Sequence, residues 1–270
     1  MIPKIIHYCW FGEKALPESV KQYIEGWRAI CKDYQIVEWN EKNFDISISR
    51  YCREAYESRK WAFVSDYARL YALNKMGGIY LDTDVEVKKS FDPLLNNIGF
   101  IGFESKTQIG TGIIAAQKNS GWLNALLEDY EKRSFLIDGK VDTTTNVEVI
   151  TEYLRQECGL VLNGEKQVLK NGVLVLPFEY LCAKSLRSGK INCTDNTYSV
   201  HNFSASWMDT EDYNQLTGTI NFYNVIKAKT GEKLPESMVY LFAKIISAYH
   251  NGGVVGLCKR VKKRMDRNMR

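Results

Sequence analysis

The sequence predicts an α/β fold with a mostly parallel sheet and a C-terminal helical region. Short apolar runs alternate with helix-period segments along most of the chain, the order that builds parallel sheets. From about residue 217 the pattern is helical with no strand signal. With 270 residues, 45% of them hydrophobic, the chain can bury one large core.

Residues 2–10 read as an apolar first strand, stopped at Gly12. Residues 17–31 open on Pro17 and carry Val20, Tyr23, Ile24 and Trp27 at the spacing of one helix face. Residues 34–39 alternate like a half-buried strand. One long helix is expected over 48–76, ended by Gly77-Gly78. Residues 79–87 read as a single strand carrying three acids. Further strands are expected at 98–103, 112–116, 173–177 and 197–203, with helices at 119–131 and 146–157. Thr145-x-x-Glu148 fits a capping box opening the second of these helices. The expected division is a main domain over 1–216 and a helical region with a basic tail over 217–270.

The net charge of +4 is unevenly spread. Seven cations and a single acid, Asp266, fall between Lys259 and Arg270, so a slightly acidic body carries a basic tail. That argues against nucleic-acid binding as the main function, which needs a distributed basic patch. The seven cysteines are odd in number, scattered and without a Cys-x-x-Cys pair, which speaks against a disulfide framework or a zinc cluster. No run reaches the ~20 apolar residues of a membrane span, and the first residues hold no apolar run of secretory-signal length. A cytoplasmic location, peripheral on the inner face of the plasma membrane, is the expectation.

Asp82-Thr83-Asp84 is the most informative stretch. On a regular strand Asp82 and Asp84 share a face, where two like charges repel and neither suits an apolar core. A divalent cation such as Mn²⁺ or Mg²⁺, taking oxygen ligands and sharing them with phosphates, resolves that conflict; solvent-facing acids on an exposed strand are the alternative. Asp66 and Arg69 lie three apart on the expected long helix and share a face, either as an ordinary surface ion pair or as a grip on sugar hydroxyls.

The run Ser65-Asp66-x-x-Arg69-x-x-x-Leu73-x-x-x-Gly77-Gly78-x-Tyr80-x-Asp82-x-Asp84 resembles the sugar-binding DXD region of glycosyltransferase family 32. Ile2-Pro3-Lys4-Ile5-Ile6-His7-x-x-Trp10 is similar to that family's opening strand, and His201-x-x-x-x-Ser206-Trp207 to its C-terminal motif. Together these cover about residues 1–207. The resemblance implies a GT-A-type, Rossmann-like catalytic domain, a nucleotide-sugar donor with a UDP-hexose favoured, Mn²⁺ or Mg²⁺, and retention of anomeric configuration. It implies that Asp82, Asp84 and His201 hold the metal, and that Asp66 and Arg69 hold the donor sugar. His7, Trp10, Thr83, Ser206 and Trp207 fall on donor-binding positions, with Trp10 beside the base, His7 better suited to a structural part in the same strand, and Ser206 and Trp207 at the diphosphate. Asp66, Arg69 and Asp84 carry catalysis on this reading. The resemblance further implies a saccharide or lipid-linked saccharide acceptor, in surface or capsular polysaccharide synthesis.

Residues 104–111 and 135–146 read as polar loops, and the resemblance implies that the backbone of Gly110-Thr111-Gly112 lies near the sugars. Residues 254–270 mix apolar and basic side chains, which suits an amphipathic helix on an anionic membrane surface. Two other classes compete: a metal-dependent phosphatase with an aspartyl nucleophile, since Asp-x-Asp also ends an apolar strand there, and a non-catalytic sugar-binding or membrane adaptor protein.

Overall fold

A computed structural model describes residues 1–204, 210–231 and 233–268, the side chains of 212, 256–257 and 259–268 aside. The chain forms two compact units: Met1–Lys184 with Ile191–Asn202, and Ser185–Lys190 with Phe203–Arg270.

The first unit begins with β1 (Ile5–Cys9), α1 (Glu18–Ile30) and β2 (Gln35–Trp39). Pro17 precedes α1, whose Val20, Ile24 and Trp27 are buried as the helix spacing requires. The single helix expected over 48–76 is two: α2 (Arg50–Glu57) and α3 (Trp61–Met76). Between them Arg59 takes a left-handed conformation (φ 56°), which ends the first helix without a glycine or proline to announce it. Gly77 caps α3 and Gly78 starts β3 (Gly78–Leu81). At Gly78, φ is 117°, and a Cβ would lie 2.6 Å from the Ile5 carbonyl oxygen, so only glycine lets β3 lie against β1 here.

The strand expected over 79–87 is also two. β3 stops at Leu81, Asp82-Thr83-Asp84 makes a turn, and β4 (Val85–Val87) leaves the main sheet. Next come β5 (Gly99–Ser105) and β6 (Gln108–Ala116), a hairpin that takes up residues 104–111, which the sequence reads as loop. α4 (Gly121–Lys132) follows, then the small hairpin β7 (Leu136–Ile137) and β8 (Lys140–Val141) inside the other expected loop. The capping box forms: the Thr145 side chain accepts from Glu148 N–H and opens α5 (Asn146–Cys158). β9 (Gln167–Val168), β10 (Val173–Leu176), the one-turn α6 (Phe178–Leu181) and β11 (Ser199–His201) complete the unit.

Seven strands form the main sheet in the order β2-β1-β3-β6-β5-β10-β9. The pairings give β2, β1, β3, β5 and β10 one direction and reverse β6 and β9. This is the mostly parallel α/β layer the sequence predicts. One face buries Leu70, Leu73, Leu123, Ile150 and Leu154 from helices α3, α4 and α5; the other buries Val20, Ile24 and Trp27 of α1. β4 pairs antiparallel with β11 in a separate two-stranded sheet. The second unit holds α7 (Thr210–Thr230) and α8 (Glu236–Asn268), the latter interrupted at Gly253, whose φ of 58° is not helical. Val239, Ala243, Ser247 and Ala248 of α8 are buried, as are Gln215, Thr219 and Tyr223 of α7.

Candidate metal and sugar-nucleotide site

The turn between β3 and β4 is the seat of the site. Asp82 N–H donates to Gly112 O at 2.8 Å, and Val85 N–H donates back to Asp82 O at 3.0 Å, which closes the turn. Because the chain turns rather than runs straight, Asp82 and Asp84 do not share a strand face; they converge for another reason. β4 pairs with β11 in a register that sets Val85 opposite His201. His201 Nε2 then lies 3.2 Å from Asp84 Oδ1 and 3.8 Å from Asp82 Oδ2. One ligand atom from each of the three lies within 4.8 Å of the others.

Two carboxylates and an imidazole on one small volume suit a hard divalent ion such as Mn²⁺ or Mg²⁺. Gly112 supports that fit. A Cβ there would meet His201 Nδ1 at 2.8 Å and Asp82 Oδ2 at 3.2 Å, so the space beside these side chains stays open because residue 112 has none. Without an ion, burial opposes charge on His201, but its hydrogen bond to Asp84 and the charges of Asp84 and Asp82 outweigh burial and hold the imidazolium well above the ordinary histidine range. A bound cation would take that proton's place on the ring nitrogen.

Arg69 organises the neighbouring carboxylates. Its Nη2 lies 3.0 Å from Asp66 Oδ1 and 3.4 Å from Asp82 Oδ1, and Nη1 donates to Thr111 O at 2.8 Å. Its guanidinium sits 4.6 Å from the Tyr80 ring centre, and Tyr80 O–H donates to Asp82 Oδ1 at 3.0 Å. The pair is therefore a buried one, 9% exposed at Asp66 and 5% at Arg69, and the surface-pair reading fails. Burial pushes the Asp66 carboxyl up to about 6, against the pull of Arg69 and with the push of Asp82. Asn146, at the start of α5, donates to Asp66 O and to Tyr130 Oη, fixing the backbone under this carboxylate.

The other expected site residues divide. Thr83 lies in the turn between the two aspartates. Trp10 follows β1, its N–H bonded to Trp39 O and its indole N–H donating to Lys14 O. His7 is fully buried, and both of its nitrogens are engaged. Trp39 Nε1–H donates to Nδ1 at 3.1 Å, so Nε2 carries the proton and donates to Gly77 O at 2.8 Å. Burial lowers its pKa to about 4, against the Gly77 bond, and a neutral ring with both nitrogens occupied by the core has nothing to offer a donor. Ser206 and Trp207 lie outside the described residues.

Glu104 joins this neighbourhood unannounced. It borders a small recess with Gly102, Gly110, Gly112, Cys182 and His201. Burial pushes its carboxyl up to about 7, with His201 pulling down and Asp82 pushing up. Its signal in the sequence was faint: an acid at the end of an apolar run, beyond reach of any motif.

Residues 17–100 match the family of glycosyltransferase sugar-binding regions containing a DXD motif. An uncharacterized glycosyltransferase of Acanthamoeba polyphaga mimivirus is 26% identical over 220 residues, 77% of this chain and 84% of that protein. Inositol phosphoceramide mannosyltransferase 3 of Schizosaccharomyces pombe is 27% identical over 138 residues, 50% of this chain; the chain spans only 38% of that relative's length. Among solved structures, a glycosyltransferase involved in glycosylation of the major capsid of PBCV-1 aligns with 75% of this chain and 95% of that chain, at 13% identity and a TM-score of 0.41, too loosely to argue from. The matched segment holds Asp66, Arg69, Asp82 and Asp84, so these four residues lie in a segment similar to the DXD sugar-binding region of glycosyltransferases.

Proposed function

We propose that the protein transfers a hexose from a nucleotide sugar, a UDP-hexose in first place, to a saccharide or lipid-linked saccharide, with retention of anomeric configuration. The observation that carries this is the convergence of Asp82, Asp84 and His201 beside the buried Asp66–Arg69 pair. Asp82, Asp84 and His201 would hold Mn²⁺ or Mg²⁺, which offsets the negative charge that builds on the departing diphosphate. Arg69 holds Asp66 and Asp82 in place, leaving Asp66 to accept hydrogen bonds from donor-sugar hydroxyls. Trp10 flanks the base and Thr83 contacts the donor. The acceptor hydroxyl attacks from the face the diphosphate leaves, since no carboxylate is assigned as nucleophile.

The mannosyltransferase relative is named for a lipid acceptor, inositol phosphoceramide. That supports a lipid-linked acceptor here, at the cytoplasmic face of a membrane whose anionic surface the segment 254–270 would meet. Surface or capsular polysaccharide synthesis is the process such a reaction serves.

A thermal-shift screen of UDP- and GDP-hexoses with and without Mn²⁺ tests the reading. At a hundredfold excess over Kd the correct donor raises Tm by about 5 °C. The shift requires metal and vanishes in Asp84→Ala; a shift independent of metal would overturn the proposed site.

A further inference from the structure

Helix α8 exposes the side chains that its periodicity would send inward. Met238, Leu241, Phe242, Ile245, Ile246 and Tyr249 recur at three- and four-residue steps, the spacing of one helix face, and all are 40–58% exposed. The face turned to α7 buries the smaller Val239, Ala243 and Ser247, with Tyr240 packed on Tyr223 beside them. Small residues let the helices approach closely. A Cβ on Gly218 of α7 would lie 2.5 Å from Ser247 Oγ, which donates to Gln215 O at 3.1 Å. The close-packed seam thus consumes the small face and leaves the large apolar face outside.

What covers this face is indicated by charge. From Ser237 to Met265 the chain has no acid, while Lys244, Lys259, Arg260, Lys262, Lys263 and Arg264 all fall in the same stretch. Past the break at Gly253, Val254 and Val255 are exposed as well, so apolar surface continues towards the cations. A second copy of this chain would bring like charge against like. No helix among the described residues is long and apolar enough to cross a membrane. The face is about 18 Å long, the reach of an interfacial helix lying flat.

We propose that residues 238–249 of α8 form a docking face for an anionic lipid bilayer, on which the apolar side chains insert at headgroup depth and the following basic segment pairs with lipid charge. This deepens the reading of a membrane-borne acceptor above and rests on it for its purpose, though not for its test. It assigns the docking to a face that neither the tail nor the catalytic motif contains.

The experiment is co-sedimentation of the full chain with phosphatidylcholine vesicles, with and without phosphatidylglycerol. The wild type pellets with the anionic vesicles and far less with the neutral ones. Phe242→Ser with Ile246→Ser weakens that binding at least tenfold, while size-exclusion chromatography shows one unchanged oligomeric state. Undiminished vesicle binding by the double variant would assign docking to the tail alone and overturn the proposal. A dimer in the wild type that the variant dissolves would give the face to a second copy and overturn it equally. The metal-dependent donor shift is measured on the same variant and stays at the wild-type value. Loss of the donor shift in wild type alone sinks the proposed reaction and leaves the docking face standing.

Discussion

Helix α3 buries a carboxylate and a guanidinium within the core, whereas helix α8 turns six large apolar side chains towards solvent. Ordinary helices of soluble proteins do neither, keeping charge on the outer face and apolar bulk on the inner one. In α3 the cost of burying charge is offset by mutual pairing: Arg69 serves Asp66 and Asp82 at once. In α8 no pairing offsets the exposed surface, and a lipid phase would. The two helices teach that a break in the burial rule carries information about the partner: a polar ligand where charge is buried, an apolar one where bulk is exposed.

The comparison is most sharply tested by removing the buried cation. Arg69→Ala leaves Asp66 and Asp82 without their counter-charge and destabilises the fold by about 3–5 kcal/mol. Urea denaturation measures this, and a loss under about 1 kcal/mol would mean the pair behaves as a surface one.

Beside the same helix, His7 shows a second way to bury a polar group, as a neutral ring bonded to the carbonyl that ends α3. Its folded pKa is lowered to about 4 from the ordinary 6.5, so the unfolded chain binds a proton that the folded chain does not. Stability from this residue is complete above about pH 6.5 and declines as pH falls towards 4, for a total of about 3 kcal/mol. Denaturation midpoints followed across this window fall less steeply in His7→Asn; an identical slope would show that the ring titrates normally.

The smallest effect belongs to α8. Leu241→Ser and Ile245→Ser, each made singly, shift unfolding free energy by no more than about 0.5 kcal/mol, since half-exposed side chains surrender little packing. Losses above about 2 kcal/mol would show that this face is core after all.

Much of this architecture was written in the sequence. The strands at 5–9 and 35–39, the helix at 18–30 and the capping box at Thr145 form where periodicity and capping chemistry place them. The breaks were hidden. Ile79, Leu81, Val85 and Val87 alternate without a flaw, so nothing in their pattern reports that Asp82-Thr83-Asp84 turns. Arg59 ends α2 in a conformation its residue type rarely takes, and the β5–β6 hairpin turns at Lys106-Thr107, without the Gly or Asn that marks such turns. The helical character of α8 was legible, but not which face it buries, because apolar residues recur on more than one of its faces. At the site, Asp66, Arg69, Asp82 and Asp84 stand in the run that carries the resemblance, and the fold brings their side chains together. For His7 the structural part is the one the fold gives it, bonded to the Trp39 indole and the Gly77 carbonyl, although a histidine in an opening strand looks the same when it faces a donor. Glu104 became visible only once β5 and β6 had brought it to His201.

The pairing of β4 with β11 also governs when the site can exist. Val85 and His201 are opposite each other, although more than a hundred positions of chain separate them. Contacts of such long range form late, because closing so large a loop costs entropy before the pairing returns any. A chain growing from a ribosome can therefore form β1, β2 and β3 long before the imidazole arrives. The cluster of Asp82, Asp84 and His201 is complete only once β11 has paired with β4.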